Sequence, residues 1–175
     1  MTGATKWAPL VLFILLGSAL TYGLAKPESN TIKSKMVGVS VPSFTLPAAV
    51  PGVPGLSSSD LATGRPHLVN VFGSWCLPCM AEAPQLKQIA DARVPVVGIA
   101  VRDKPEALQR FLGRYGNPFR AIGADDASQV MMAMGSSGVP ESFVVDGQGR
   151  ILQQQIGPIN PEDVAGIVAA VKAAR

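Results

Sequence analysis

Residues 68–79 read LVNVFGSWCLPC, and this stretch decides the fold. Its first five residues are strand formers, and a glycine follows them just before the two cysteines. From residue 76 to residue 92 the chain lacks glycine and is rich in Ala, Glu, Gln, Leu and Lys, which predicts a helix kinked at Pro84. The two cysteines are therefore expected where a buried strand passes into the beginning of a helix.

Strand and helix patterns alternate on both sides of this stretch. We predict strands at residues 43–47, 94–101, 139–146 and 151–156, a short apolar segment at 119–122, and helices at 104–115, 127–134 and 161–174. Residues 48–59, rich in proline and glycine, are predicted to be loop, and residues 147–149 a hairpin turn. This order predicts an α/β fold.

Cys76 and Cys79 are the only cysteines, and they lie three positions apart. A bridge across so short a loop restrains the unfolded chain little, so reactivity explains the pair better than structural cross-linking. Backbone N–H groups and the helix dipole favour a thiolate at the first position, which makes Cys76 the expected nucleophile and Cys79 the resolving thiol. A zinc site would need about four ligands, and His67 is the only histidine, so we expect no metal and no cofactor.

The amino-terminal region is predicted to attach the chain to a membrane. Residues 7–25 carry no charge, and nineteen helical residues have about the length that spans a bilayer. We therefore expect a cytoplasmic segment at 1–6, a transmembrane anchor at 7–25, a linker at 26–36 and one domain at 37–175. A cleaved signal peptide is the alternative, since Lys6 precedes the apolar stretch and residues 23–25 form a small-x-small site. In either case the domain is expected outside the cytoplasm, where disulfides persist.

The charge of the chain argues against nucleic acid as a partner. The net charge is +3, and the Lys and Arg residues are scattered along 175 residues. They form no stripe of the kind that attracts a phosphate backbone.

Three separate motifs resemble thioredoxin. Residues 75–79, Trp-Cys-Leu-Pro-Cys, resemble its active-site motif, Pro84 matches the kink proline of its active-site helix, and Gly138-Val139-Pro140 resembles its cis-proline loop. The resemblance implies a thioredoxin fold, with a central mixed sheet flanked by helices, an amino-terminal strand extension and one preceding transmembrane helix. It also implies that the Val139–Pro140 bond is cis and lies against the disulfide.

The flanking residues resemble the CcmG/DsbE group of cytochrome c biogenesis proteins. The matching segments are residues 69–76, 81–82 and 138–146. This resemblance implies a protein-disulfide reductase, anchored by one helix in the bacterial inner membrane, with its domain facing the periplasm. Its expected substrate is the haem-attachment disulfide of apocytochrome c, and its expected electron donor is a membrane-embedded thiol reductant.

The same resemblance assigns roles to further residues. Asn70 stands where thioredoxin has a buried aspartate, so Glu82 is expected to handle the proton of Cys79; the alternative is an ordinary solvated helix glutamate. Because Trp75 directly precedes the expected nucleophile, its side chain is expected to form a partly exposed lid over the sulfurs instead of packing in the core. Val139, Pro140 and Glu141 are expected to bind substrate, although Glu141 could equally face solvent.

Some features point elsewhere or remain open. Leu77 stands where the cytochrome group more often has proline, which leaves the redox potential and the exact subfamily open. His67 is expected in a loop, and Met131, Met132 and Met134 are expected to pack in the core.

A peroxiredoxin is disfavoured because Gly73 stands where such enzymes need Thr or Ser. Two further functions stay open: a general extracytoplasmic oxidoreductase, and a factor that holds apocytochrome without redox chemistry.

Overall fold

The computed structural model describes residues 7–24 and 36–174, which fall into two compact units, residues 1–30 and 31–175. The first unit contains one described helix, α1 (Ala8–Leu24). Within the described ranges, no helix is both long and apolar enough to cross a membrane. The predicted anchor at 7–25 therefore stays a prediction. The predicted segment 1–6 and nearly all of the predicted linker 26–36 lie outside the described residues, as do residues 25 and 175.

The second unit alternates strands and helices as predicted. Its strands are β1 (Thr45–Leu46), β2 (Leu56–Ser57), β3 (His67–Phe72), β4 (Val96–Val101), β5 (Ile122–Asp125), β6 (Glu141–Val145) and β7 (Ile151–Ile156). Its helices are α2 (Leu77–Asp91), α3 (Pro105–Tyr115), α4 (Gln129–Ala133) and α5 (Asp163–Ala173). Pro84 lies inside α2, as expected.

Five strands form one mixed sheet in the order β5-β4-β3-β6-β7. β3 pairs in parallel with β4 and antiparallel with β6, so the strand before the cysteines lies at the centre. β4 pairs in parallel with β5, and β6 forms an antiparallel hairpin with β7. This arrangement confirms the expected thioredoxin fold. The short β1–β2 pair forms a second sheet and corresponds to the expected strand extension.

Successive side chains of β3 point to opposite faces of the sheet, because the side-chain period of a strand is two residues. Leu68 and Phe72 pack in the core under α2, α3 and α5. Val69 and Val71 pack in a second core under β2 and α4. Asn70 shares the first face by this period, and the site below depends on that placement.

The structure corrects the prediction of an uninterrupted loop at residues 48–59. This stretch contains β2 and the beginning of a 3-10 helix, Ser58–Leu61. Leu56 and Leu61 are completely buried, so two apolar side chains fix a segment whose proline and glycine content predicted loop. Asp60 caps the short helix by accepting from the Ser57 N–H at 2.8 Å.

Three further predictions are corrected or refined. Of the apolar segment 119–122, only Ile122 belongs to a strand, β5, while Phe119 turns into the core and stacks on Phe72. His67 is the first residue of β3 and not part of a loop. Among the methionines, Met134 is buried and Met131 packs against the second core, as predicted, but Met132 is 59% exposed.

A substitution of Phe72 tests the packing of this core. It is 1% exposed and lies 4.7 Å from the ring of Phe119 and 5.8 Å from that of Phe111, measured between centroids. Replacing Phe72 by Ala should lower the free energy of unfolding by about 3 to 5 kcal/mol, through lost burial and an unfilled cavity. Urea unfolding of the oxidised chain measures this change. The control, Met132→Ala, should change stability by less than about 0.5 kcal/mol; a similarly small change for Phe72→Ala would contradict the core described here.

Candidate active site

The two cysteines lie at the junction of the central strand and α2, as the sequence predicts. Cys76 is the amino-terminal cap of α2 and forms a disulfide with Cys79 in the first turn. The backbone N–H of Cys79 donates to the Cys76 sulfur at 3.2 Å. The sulfur of Cys76 therefore lies where an N–H group and the positive end of the helix dipole favour a thiolate. Cys76 is 4% exposed and Cys79 is 1% exposed, so the first cysteine is the more accessible.

Trp75 is held at the surface instead of being packed in the core. Its side chain is 55% exposed, and its Nε1–H donates to the carbonyl oxygen of Val101, at the end of β4, at 3.0 Å. The indole also explains Gly73, because a Cβ at that position would lie 2.6 Å from Trp75 Nε1. The Thr or Ser that a peroxiredoxin needs at this position would collide with the indole.

Ser74 is fixed by Asp103, a residue that the sequence analysis missed. The Ser74 N–H and hydroxyl donate to the two carboxylate oxygens of Asp103, at 2.5 and 2.7 Å. Asp103 follows β4, which is parallel to β3, so the residues after both strands meet at one edge of the sheet. A search for polar residues after each predicted parallel strand would have found it.

The cis-proline loop lies at the same edge. The Val139–Pro140 bond is cis, as the resemblance implies. Glu141, the next residue, pairs with Val71 of β3 in the antiparallel ladder, which places Pro140 beside the end of the strand that leads to the cysteines. Pro140 is buried and Val139 is half-buried.

The position of Glu141 differs from the expectation that its side chain would line a partner groove or face solvent. Glu141 is 1% exposed. One carboxylate oxygen accepts from the Ser137 N–H and hydroxyl at 2.8 and 2.7 Å, and the other accepts from Gln154 Nε2 at 2.7 Å. The carboxylate thus ties β7 to the loop before Pro140, and its geometry suits positioning that loop better than touching a partner.

Glu82 is buried, so the interpretation as a solvated helix glutamate is wrong. It is 1% exposed. Asn70 Nδ2 donates to one of its oxygens at 3.0 Å, and the Ile159 N–H donates to the other at 2.8 Å. Asn70 Nδ2 also donates to the Ser142 hydroxyl at 3.0 Å, which joins β3, α2 and β6 in one polar network.

Burial controls the protonation of Glu82. Loss of water around the carboxylate raises its pKa to about 7, although the hydrogen bonds from Ile159 and Asn70 favour the charged form. Cys79 and Glu82 are three residues apart on α2, so both project from one face of the helix, one turn apart. A carboxyl group that titrates near neutral pH therefore lies next to the resolving cysteine.

The described part of the chain contains no cluster of metal-ligating side chains. In the ranges 7–24 and 36–174, no three His, Cys, Asp or Glu residues converge as metal ligands would. His67 begins β3, at the edge of the sheet opposite the cysteines, so the site does not include it.

Replacing Glu82 by Gln should remove a pH dependence of stability. Since its pKa rises from 4.5 to about 7 on folding, the folded chain retains a proton that the unfolded chain releases in this interval. The free energy of unfolding is therefore highest below pH 4.5 and falls as pH rises through about 7, by about 3 kcal/mol from this group. Urea unfolding of the oxidised chain at pH 5 and pH 8 should show this fall in wild type and in the control Glu106→Gln, and lose it in Glu82→Gln. An equal fall in all three would contradict the assignment.

Comparisons with known proteins give the family. The Redoxin family model matches residues 36–171. The thiol:disulfide interchange protein DsbE homolog of Paracoccus denitrificans is 36% identical over 155 residues, which are 89% of this chain and 86% of that protein. The thiol:disulfide interchange protein HelX of Rhodobacter capsulatus is 33% identical over 164 residues, which are 94% of this chain and 92% of that protein.

A solved structure agrees with these relatives. The crystal structure of a thioredoxin-family thiol:disulfide interchange protein of Chlorobium tepidum superposes with a TM-score of 0.62 at 28% identity, covering 77% of this chain and 94% of that one. The cysteine pair with its surrounding polar groups, the cis-proline and the relatives all indicate the same family. The chain belongs to the Redoxin family and, within it, to the DsbE group of thiol:disulfide interchange proteins.

Proposed function

We propose that this chain is a thiol-disulfide oxidoreductase of cytochrome c biogenesis, which reduces the haem-attachment disulfide of apocytochrome c. The proposed chemistry rests on one observation. Cys76, which is disulfide-bonded to Cys79, caps α2 at the edge of the sheet where the cis Val139–Pro140 bond also lies. The substrate follows from the resemblance to the cytochrome c biogenesis group in the residues around the cysteines and around Pro140.

The reaction is a transfer of two electrons from the reduced cysteine pair to the substrate disulfide. The Cys76 thiolate attacks one substrate sulfur, the substrate S–S bond breaks, and the released substrate thiolate takes up a proton. Cys79 then loses its proton and attacks the Cys76 sulfur of the mixed disulfide. The Cys76–Cys79 bond forms, and the second substrate sulfur leaves as a thiolate that is protonated in turn.

Glu82 is the proposed acceptor of the Cys79 proton. A base works best when its pKa lies near the working pH, and burial raises the pKa of Glu82 to about 7. Asn70 and Ile159 each donate to a different carboxylate oxygen, which favours one orientation of the carboxylate as it gains and loses a proton.

Three neighbours complete the proposed substrate site. The hydrogen bond to Val101 keeps the Trp75 indole beside the junction. Val139 is half-buried and offers an edge to an incoming peptide, next to the buried Pro140. Glu141 acts indirectly, by fixing Ser137 and therefore the loop that carries Val139 and Pro140.

Turnover requires an electron donor. Each reaction leaves the pair as the disulfide described above, and returning it to the dithiol needs two electrons and two protons. Since the domain is proposed to lie outside the cytoplasm, we propose a membrane-embedded thiol reductant as the donor.

The proposed location is the periplasmic side of the bacterial inner membrane. In this layout residues 1–6 are cytoplasmic, residues 7–25 are a single-pass anchor, residues 26–36 are a linker and residues 37–175 are the redox domain. The absence of charge over residues 7–25 supports an apolar environment for this segment. Helix α1 (Ala8–Leu24), which contains no charged residue, lies within it.

Single-cysteine variants test the chemistry. In a bacterium that lacks its own DsbE-type protein, the wild-type chain should restore haem attachment to cytochrome c and Cys76→Ala should not. Cys79→Ala should accumulate a mixed disulfide with apocytochrome c, because no thiol remains to resolve it. The double variant Cys76→Ala/Cys79→Ala controls for trapping and should accumulate none.

The outcomes separate the candidate functions. Full haem attachment with Cys76→Ala would overturn the redox function and favour a factor that only holds apocytochrome. Mixed disulfides with many exported proteins and none with apocytochrome c would favour a general oxidoreductase.

Fractionation tests the anchor. The full chain should remain with the membrane pellet after alkaline carbonate washing, while a chain without residues 7–25, exported by a cleavable signal, should appear in the periplasmic fraction. If the protein expressed from the full-length sequence is found to begin after residue 25 and fractionates with the periplasm, this result would contradict the anchor and favour a cleaved signal peptide.

A further inference from the structure

A second concave site lies at the end of the domain opposite the cysteines. It is a pocket of about 380 Å³, lined by the residues that precede three strands of the sheet and by the end of α5. Because β3, β4 and β5 are parallel, their beginnings share one edge and their carboxyl ends share the other. Strands of six residues separate this pocket from the redox site by roughly 20 Å.

Four cationic side chains surround this basic pocket, which we define by Arg65, Arg93, Arg120 and Lys172. None of the described residues that line it is acidic. In the part of the chain that the structure describes, the ion pairs are Lys87–Asp91 and Arg150–Asp146, so none of the four cations has a carboxylate partner there. Sequence spacing does not reveal the cluster, because its members come from three separate connections and the end of α5.

The fold fixes the backbone of these residues while their side chains stay exposed. The Arg93 N–H donates to the Ala90 carbonyl oxygen and the Arg120 N–H to that of Val96, both at 2.9 Å. Arg93 has a φ of 65°, a left-handed conformation in which glycine or asparagine would be less strained. This conformation ends α2, whose carboxyl-terminal cap is Ala92, and the Val94 N–H donates back to the Ile89 carbonyl oxygen at 3.4 Å.

The pocket has an apolar floor and a positive rim. Val94 is 3% exposed and Val171 is 1% exposed, and both line it. A concave surface with charges of one sign focuses their potential and attracts the opposite charge. The field reaches His67 at the start of β3. Burial lowers the pKa of this imidazole most, and the charges of Arg120 and Arg65 also lower it, while a backbone hydrogen bond with Arg65 and the charge of Asp60 act in the opposite direction.

Guanidinium groups recognise phosphate in particular, because their planar fork of N–H donors matches two phosphate oxygens. Three such groups and one ammonium around a cavity of ligand size provide the donors and the charge. We propose that the basic pocket binds a phosphate group, carried either by free inorganic phosphate or by an anionic lipid headgroup. This proposal is independent of the disulfide chemistry.

Titration with inorganic phosphate tests the site. The full chain, oxidised and held in micelles of a neutral detergent, is titrated by calorimetry at constant ionic strength, with chloride as the balancing anion. We expect wild type to bind phosphate saturably. Arg120→Gln should weaken this binding about tenfold, because it removes one pair of charge-assisted hydrogen bonds to the phosphate. The matched control is Arg110→Gln, an exposed arginine of α3 outside the pocket, which changes the net charge equally and should bind as wild type. Arg65→Gln repeats the test from a different turn, in case Arg120→Gln does not fold.

A second arm distinguishes the sources of phosphate. Phosphatidylglycerol added to the micelles should displace inorganic phosphate, or bind in its place, if the pocket takes a lipid headgroup, whereas phosphatidylcholine should not. Binding of inorganic phosphate without such competition would assign the site to the free anion. The proposal is overturned if neither phosphate nor phosphatidylglycerol binds saturably, or if Arg110→Gln weakens binding as much as the pocket variants do.

Discussion

The structure around the redox site depends on one buried carboxylate. Glu82, on α2, is held from the central strand by Asn70 at 3.0 Å and from the segment before α5 by the Ile159 N–H at 2.8 Å. A buried charge without partners would be very costly, so these bonds fix how the helix that carries the cysteines lies on the sheet. They reduce the cost of burial without removing it, and the pKa of about 7 results from that balance.

Two opposing electrostatic effects act on the cysteine pair. The beginning of α2 and the Cys79 N–H stabilise a thiolate at Cys76. A carboxylate one turn beyond Cys79 disfavours a second negative charge near it when ionised, and can accept a proton when the resolving thiol must lose one. Stable thiolates make a dithiol oxidising, as in DsbA, so a nearby negative charge favours the disulfide form and a more reducing pair.

The sequence predicted what depends on local pattern and missed what depends on distant partners. Strand formers before the cysteines and the glycine-free run after them predicted the junction of β3 and α2, and the resemblance supplied the cis bond before Pro140. The burial of Glu82 depends on a hydrogen bond from Ile159, 77 residues away. The position of Ser74 depends on hydrogen bonds to Asp103, 29 residues away. The prediction of loop from composition was also wrong at residues 56–61, because the burial of Leu56 and Leu61 stabilises this segment despite the turn-forming residues around it.

We propose that this cysteine pair works as a reductant because the buried carboxylate of Glu82 lies beside it. The most direct test is the equilibrium reduction potential of the pair in the full chain at pH 7, measured against dithiothreitol by alkylation of free thiols. We expect a potential closer to that of thioredoxin, about −270 mV, than to that of DsbA, about −120 mV. A value near that of DsbA would contradict it.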